Sequence, residues 1–238
     1  MSLDKKHNLT GWAFLTPAAL LILFMNFLPM FKALILASIL NNRHLRCKGL
    51  FRTMIFLPCA TSLVAYATIF RSLFANNGIV NVVLTGLGIL DQPYSFLTHP
   101  MSAKIVIIIG LLWRWTGYNM VFYLSGLQNI EYSVYEAAKI DGASPIQTFF
   151  RITVPLLKPT ILLTAIMSTN GTLQLFDESV NLTDGGPANA SISMSHYIYN
   201  VSFKYVPKFG YAAAMSFFIL ILVAILAFVQ MKVGDKRD

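Results

Sequence analysis

Polar side chains set inside apolar runs are the groups in this sequence whose types could do chemistry. Tyr118, Asn119 and Tyr123 interrupt one such run, with Asn119 and Tyr123 four residues apart and so on one helical face. Ser168, Thr169, Asn170, Thr172 and Gln174 interrupt another. Amides and hydroxyls hydrogen-bond to polyols while aromatic rings stack on them, so Tyr118, Asn119, Tyr123, Asn170 and Gln174 are candidates for a sugar path. The same residue types also join helices to one another in apolar surroundings, and both readings stand at this point. Catalytic chemistry has no comparable footing. His7, His44, His99 and His196 are scattered without metal-ligand spacing. Neither a G-x-S-x-G nucleophile turn nor a G-x-x-x-x-G-K-[ST] phosphate loop occurs. The expectation is a protein that is not an enzyme and holds no metal or cofactor.

The elements that position these groups follow from composition. Of 238 residues, 56% are hydrophobic and 12% charged, with a mean hydropathy of +0.63. Soluble domains carry about 25% charged residues, so an ordinary soluble enzyme is excluded. Cys47 and Cys59 are too few for a disulfide framework. Runs nearly free of charge cover Lys6–Lys32, Thr53–Phe70, Ile105–Asn129 (broken by Arg114), Pro159–Phe176 and Phe209–Met231. Each approaches or exceeds the ~20 residues needed to cross about 30 Å of hydrocarbon. The fold class expected is therefore all-α: a polytopic membrane bundle with about five transmembrane helices, one domain over 1–238. Ser72–Leu90 is uncharged too, but Asn76, Asn77, Gly78, Gly86 and Gly88 suit a short interfacial helix better.

The net charge of +8 sets orientation, and no nucleic-acid partner is needed to explain it. Arg43, Arg46, Lys48 and Arg52 cluster in one loop, and Lys232, Lys236 and Arg237 follow the last run. The positive-inside rule places both clusters, and hence the C-terminus, in the cytoplasm. Counting back puts 130–158 inside and 71–104 outside. Lys5 and Lys6 break the pattern, because a single crossing at 12–31 would leave them outside. A hairpin turned by Pro29 would restore parity, yet its arms are too short to cross twice. The chain reads as though a span were missing between about Phe31 and Leu40. Arg114, between Trp113 and Trp115, is expected to snorkel to a membrane interface. Asp177, Glu178 and Asp184 are expected to be solvated charges of an outside loop.

The loop 130–158 is the most punctuated part of the chain. Ser133 and Glu136 have capping-box spacing for a short helix, Gly142 suits the left-handed residue after it, and Ser144-Pro145-Ile146-Gln147 opens another. Pro155 and Pro159 bend or stop the chain before the next run. Two short helices joined by a glycine turn should therefore project from the membrane face. Tyr132, Tyr135, Ile140, Phe149 and Phe150 could anchor a partner, or fold the loop back on its own bundle.

Glu136-Ala137-Ala138, Gly142, Ile152 and Val154-Pro155 follow the spacing EAA-x3-G-x9-I-x-L-P, with valine for leucine at 154. This resembles the EAA loop of permease subunits in bacterial ABC importers. GLFRTMIFLP (49–58), WRWTGYNMVFYLSGLQNI (113–130), TLQLFDESVNLTDGGP (172–187) and FGYAAAMS (209–216) resemble its carbohydrate-uptake branch, the maltose and lactose type. The resemblance implies a six-span fold, of which most of the second span looks absent here. It implies that Glu136, Ala137, Ala138, Gly142, Ile152 and Pro155 couple to a cytoplasmic ATPase dimer, which alone uses ATP. A second permease subunit, an extracytoplasmic solute-binding protein and the bacterial inner membrane are implied as well. Two functional expectations follow: a sugar-importer permease forming half of a translocation pathway, or a truncated remnant that docks the ATPase without transporting.

Overall fold

The computed structural model describes residues 24, 26–41 and 45–234. Lys5, Lys6, His7, Arg43, His44, Lys236, Arg237 and most of the first expected span lie outside them. Among the described residues every regular element is helical. They are α1 (Asn26–Leu40), α2 (Lys48–Ala60), α3 (Leu63–Leu73), α4 (Ile79–Gly86), α5 (Pro100–Gln128) and α6 (Tyr132–Ile140), followed by α7 (Pro145–Thr148), α8 (Val154–Leu156), α9 (Lys158–Leu173), α10 (Met194–Tyr199) and α11 (Phe209–Gly234).

Among the described residues, only α5 and α11 are singly long and apolar enough to span a membrane. Two further candidates are bent pairs: α2 with α3 at 106°, and Pro145–Leu156 with α9 at 70°. The straight span expected over Thr53–Phe70 is thus broken. Pro58 removes a backbone donor inside α2, and Ser62 restarts the chain as the N-cap of α3 by accepting from the Ala65 amide. Nor does Pro29 turn a hairpin, since α1 runs through it without a break. The short interfacial helix expected within Ser72–Leu90 is α4.

α5 is the axis of the bundle. Around its C-terminal half, Ala33, Leu34, Ala37 and Leu40 of α1 pack with Met120, Leu124, Leu127 and Leu157. Around its N-terminal half, Tyr66, Ala67 and Phe70 of α3 pack with Val106, Ile107 and Leu182. Between these clusters α2 crosses at Gly117, where an added Cβ would run into the Ile55 carbonyl oxygen. Hydrogen at this position lets the two backbones meet.

Candidate functional site

Two surfaces emerge, one along α9 and one at the α6–α7 projection. On α9, most polar side chains hold a different neighbour. Thr164 and Ser168 face α5, where Thr164 Oγ1 lies 2.8 Å from the Tyr123 hydroxyl and Ser168 Oγ 3.3 Å from Asn119 Nδ2. Thr169 accepts from Gln230 Nε2 of α11 at 2.7 Å. Thr172 donates to Asn26 Oδ1 of α1 at 3.3 Å and to the Ser168 carbonyl at 2.8 Å. Asn119 and Tyr123 are 0% exposed. They do not border open space but join α5 to α9, the second of the two roles open to such residues in apolar surroundings.

Asn170 and Gln174 remain on the exposed side of α9, bonded to each other at 2.8 Å. The facing part of α5 carries Trp115, Tyr118 and Phe122 in an aromatic row, with ring centroids 5.4 and 5.0 Å apart. Trp115 packs against Gly171, where a Cβ would strike its ring, and the Tyr118 hydroxyl reaches Met167 Sδ at 3.5 Å. The structure thus brings Tyr118, Asn170 and Gln174 to one amide-and-aromatic face. Sequence reasoning missed Trp115 and Phe122 in this row. Their i, i+3, i+7 spacing with Tyr118 was the available signal, masked by reading the tryptophan pair as interface anchors.

Arg114 does not snorkel. Its guanidinium pairs at 2.5 Å with Glu178, which is 4% exposed. Glu178 precedes the π-helical stretch Ser179–Thr183 that folds back on the bundle, and Arg71 Nε ties this stretch to α3 through the Leu182 carbonyl. Of the acidic residues expected to be solvated, Glu178 is therefore a buried counter-ion. Asp184 is exposed and pairs with Lys204 at 3.3 Å. His196, 1% exposed, lies beneath Asp184, with Nδ1 2.9 Å from Ser179 Oγ and Nε2 3.8 Å from the carboxylate. Burial lowers the His196 pKa, Asp184 opposes that fall and Lys204 adds to it.

At the other surface, Gly142 has φ +73° and ends α6. The Ala143 amide reaches the Ala138 carbonyl at 2.9 Å and the Gly142 amide reaches Lys139 at 3.2 Å, a Schellman turn. Ser144 and Gln147 form the expected capping box of α7. The box expected at Ser133–Glu136 is absent: α6 starts two residues early, at Tyr132 with Glu131 as its N-cap, and Ser133 Oγ donates to Glu131 instead. Glu136 and Ala137 are thereby left exposed, whereas Ala138 is buried. Tyr135 turns inward to Thr153 at 3.4 Å. Ile140, Ile146 and Phe150 stand out at 85%, 72% and 55% exposure. Ile152 is half-buried and Pro155 exposed, just before the bend into α9.

Comparison with known proteins places this geometry in context. The family model described as "binding-protein-dependent transport system inner membrane component" matches residues 30–237. The lactose transport system permease protein LacF of Rhizobium radiobacter is 55% identical over 207 residues, covering 86% of this chain and 70% of that protein. The arabinooligosaccharides transport system permease protein AraP of Bacillus subtilis (strain 168) is 30% identical over 206 residues, 85% of this chain and 65% of its own length. Among solved structures, a bacterial ABC transporter that imports the acidic polysaccharide alginate superposes with a TM-score of 0.78. It covers 94% of this chain and 77% of that one at 24% identity, a likeness of fold.

Proposed function

The chain belongs to the family of binding-protein-dependent transport system inner membrane components, and from that premise we propose that it is the membrane-spanning subunit of an ATP-driven sugar importer. It is a membrane component of a transport system rather than an enzyme. In this reading 1–238 is one membrane domain, 130–158 is its cytoplasmic coupling loop and the C-terminus is cytoplasmic. A cytoplasmic ATPase dimer supplies the ATP chemistry, a second permease subunit completes the pathway, and an extracytoplasmic solute-binding protein delivers the cargo. The relatives named for lactose and arabinooligosaccharides support sugar as cargo class. Tyr118, Asn170 and Gln174 are the path residues favoured by geometry, with Trp115 and Phe122 as stacking faces. The family match extends through the loop, the α5–α9 face and α11, which favours a transporting subunit over a remnant that only docks an ATPase.

The observation that carries the coupling role is the α6–Gly142–α7 projection. Glu136 and Ala137 are exposed on it, Ile140 and Ile146 are uncovered, and nothing lies within 4 Å of a Cβ built on Gly142. Such a surface can enter a partner's cleft and bias a two-state bundle from it. Gly142→Asp would strain the left-handed turn and fill that clearance. Uptake should be lost and ATP hydrolysis uncoupled from cargo, while membrane insertion is unchanged. Unaltered uptake by this variant would overturn the assignment.

A further inference from the structure

At the head of α11, Tyr197, Val201, Tyr205, Val206, Lys208 and Tyr211 line a cavity of about 620 Å³. Among the described residues, no hydrogen bond or ion pair engages the Lys208 ammonium or the hydroxyls of Tyr197, Tyr205 and Tyr211. One lysine and three tyrosines therefore line a space whose donors have no matching anion among the residues that line it. The first turn of α11 adds its unpaired backbone N–H groups, whose dipole favours negative charge.

The surroundings narrow the occupant. α11 is the most apolar span, with a mean hydropathy of 2.9 and only 11% of its window buried. Below the cavity it presents Phe209, Phe217, Phe218 and Leu220, each more than half exposed. Tyrosines with a lysine at the end of a span are the composition of a membrane interface. A ligand that fits both halves carries an anionic, acceptor-rich head and long apolar tails. A neutral sugar would leave the ammonium uncompensated and would not cover the apolar length of α11 below the cavity. We propose that this cavity is a binding site for the phosphodiester headgroup of an anionic phospholipid, with the acyl chains lying along α11. With the orientation proposed above it belongs to the outer leaflet, but the site does not depend on the sugar reading.

The test is native mass spectrometry of the full chain purified in detergent and titrated with dioleoyl-phosphatidylglycerol or dioleoyl-phosphatidylcholine. Phosphatidylglycerol should bind more tightly, and Lys208→Gln should weaken it about fivefold, the effect of one interfacial cation. Lys208→Arg should retain it. Tyr205→Phe keeps the ring and deletes one donor, so its smaller loss provides a check if Lys208→Gln folds poorly. Lys232→Gln, at the other end of α11, should change nothing. Equal binding by Lys208→Gln and the parent chain, or equal losses at Lys208 and Lys232, would overturn the site.

Discussion

Glu178 is a carboxylate whose burial is tolerable only because Arg114 meets it. Replacing one member of such a pair leaves the other charged and dry, a cost of about 3 kcal/mol or more, whereas replacing both with apolar residues costs far less. Arg114→Met should lower the unfolding midpoint of the purified protein strongly, and Arg114→Met with Glu178→Leu should recover most of the loss. Equal damage from the double variant would mean that the pair is not what holds the two segments. His196 makes the companion case in a polar loop. The Ser179 hydroxyl donates to the Ser191 carbonyl at 2.8 Å, so Nδ1 is left to donate to Ser179 and Nε2 stays unprotonated beneath Asp184. Its pKa is lowered in the fold, chiefly by burial. Above the unfolded value of ~6.5 both states are neutral and the loop keeps its full stability. As pH falls below that value the unfolded state gains the proton first, and stability drains until the lower folded pKa is reached. Protection factors across 177–205, which correct hydrogen exchange for its intrinsic pH dependence, should therefore fall from pH 7.5 to 5.5 in the parent, and His196→Gln should flatten that dependence.

At the scale of elements, the α2–α5 crossing depends on Gly117. The Ile55 carbonyl occupies the space of any side chain there, and Cys59 Sγ donates to the Arg114 carbonyl one turn away at 3.0 Å. Gly117→Ala must push backbone against backbone, which should cost about 1–3 kcal/mol. Thermal unfolding in detergent should show the loss, and Gly49→Ala, with nothing within 4 Å, serves as the control. The same elements show what was legible beforehand. Gly142 and the Ser144–Gln147 box were readable because turns and caps are written in adjacent residues. The α2–α3 break, the burial of Glu178 and the inward turn of Asn119 and Tyr123 were not. Each is decided by a partner more than ten residues away or, at Pro58, by whether bundle packing straightens or exploits the missing donor. Polar residues within spans are visible in the sequence, but which of them face α5, α1, α11 or open space is a question of helix rotation, and hydropathy carries no information about that.

Across the whole molecule, the open question of topology turns on the bent α2–α3 pair, which could either cross the membrane or enter and return. Its packing favours the first. α2 meets the C-terminal half of α5, with Ile55 against the cluster around Met120, while α3 meets the N-terminal half, with Tyr66 and Phe70 beside Val106 and Ile107. Along α5 the separation from Met120 to Ile107 is about 20 Å at 1.5 Å per residue. A re-entrant pair would return to the level at which it began; α2 runs antiparallel to α5 and α3, turned off it by 106°, meets α5 further along rather than back at Met120, so we predict that the pair acts as one broken span. In that topology Lys48 and Gly142 lie on the same side, since the pair and α5 together cross twice, and Asn76 and Asn189 lie on the other. In the orientation proposed above, with Lys48 and Arg52 at the cytoplasmic start of α2, the first side is the cytoplasm. Reporter fusions at these four positions should give inside for Lys48 and Gly142 and outside for Asn76 and Asn189. Opposite signals at Lys48 and Gly142 would make the pair re-entrant and would separate the basic cluster of α2 from the coupling loop it is expected to accompany.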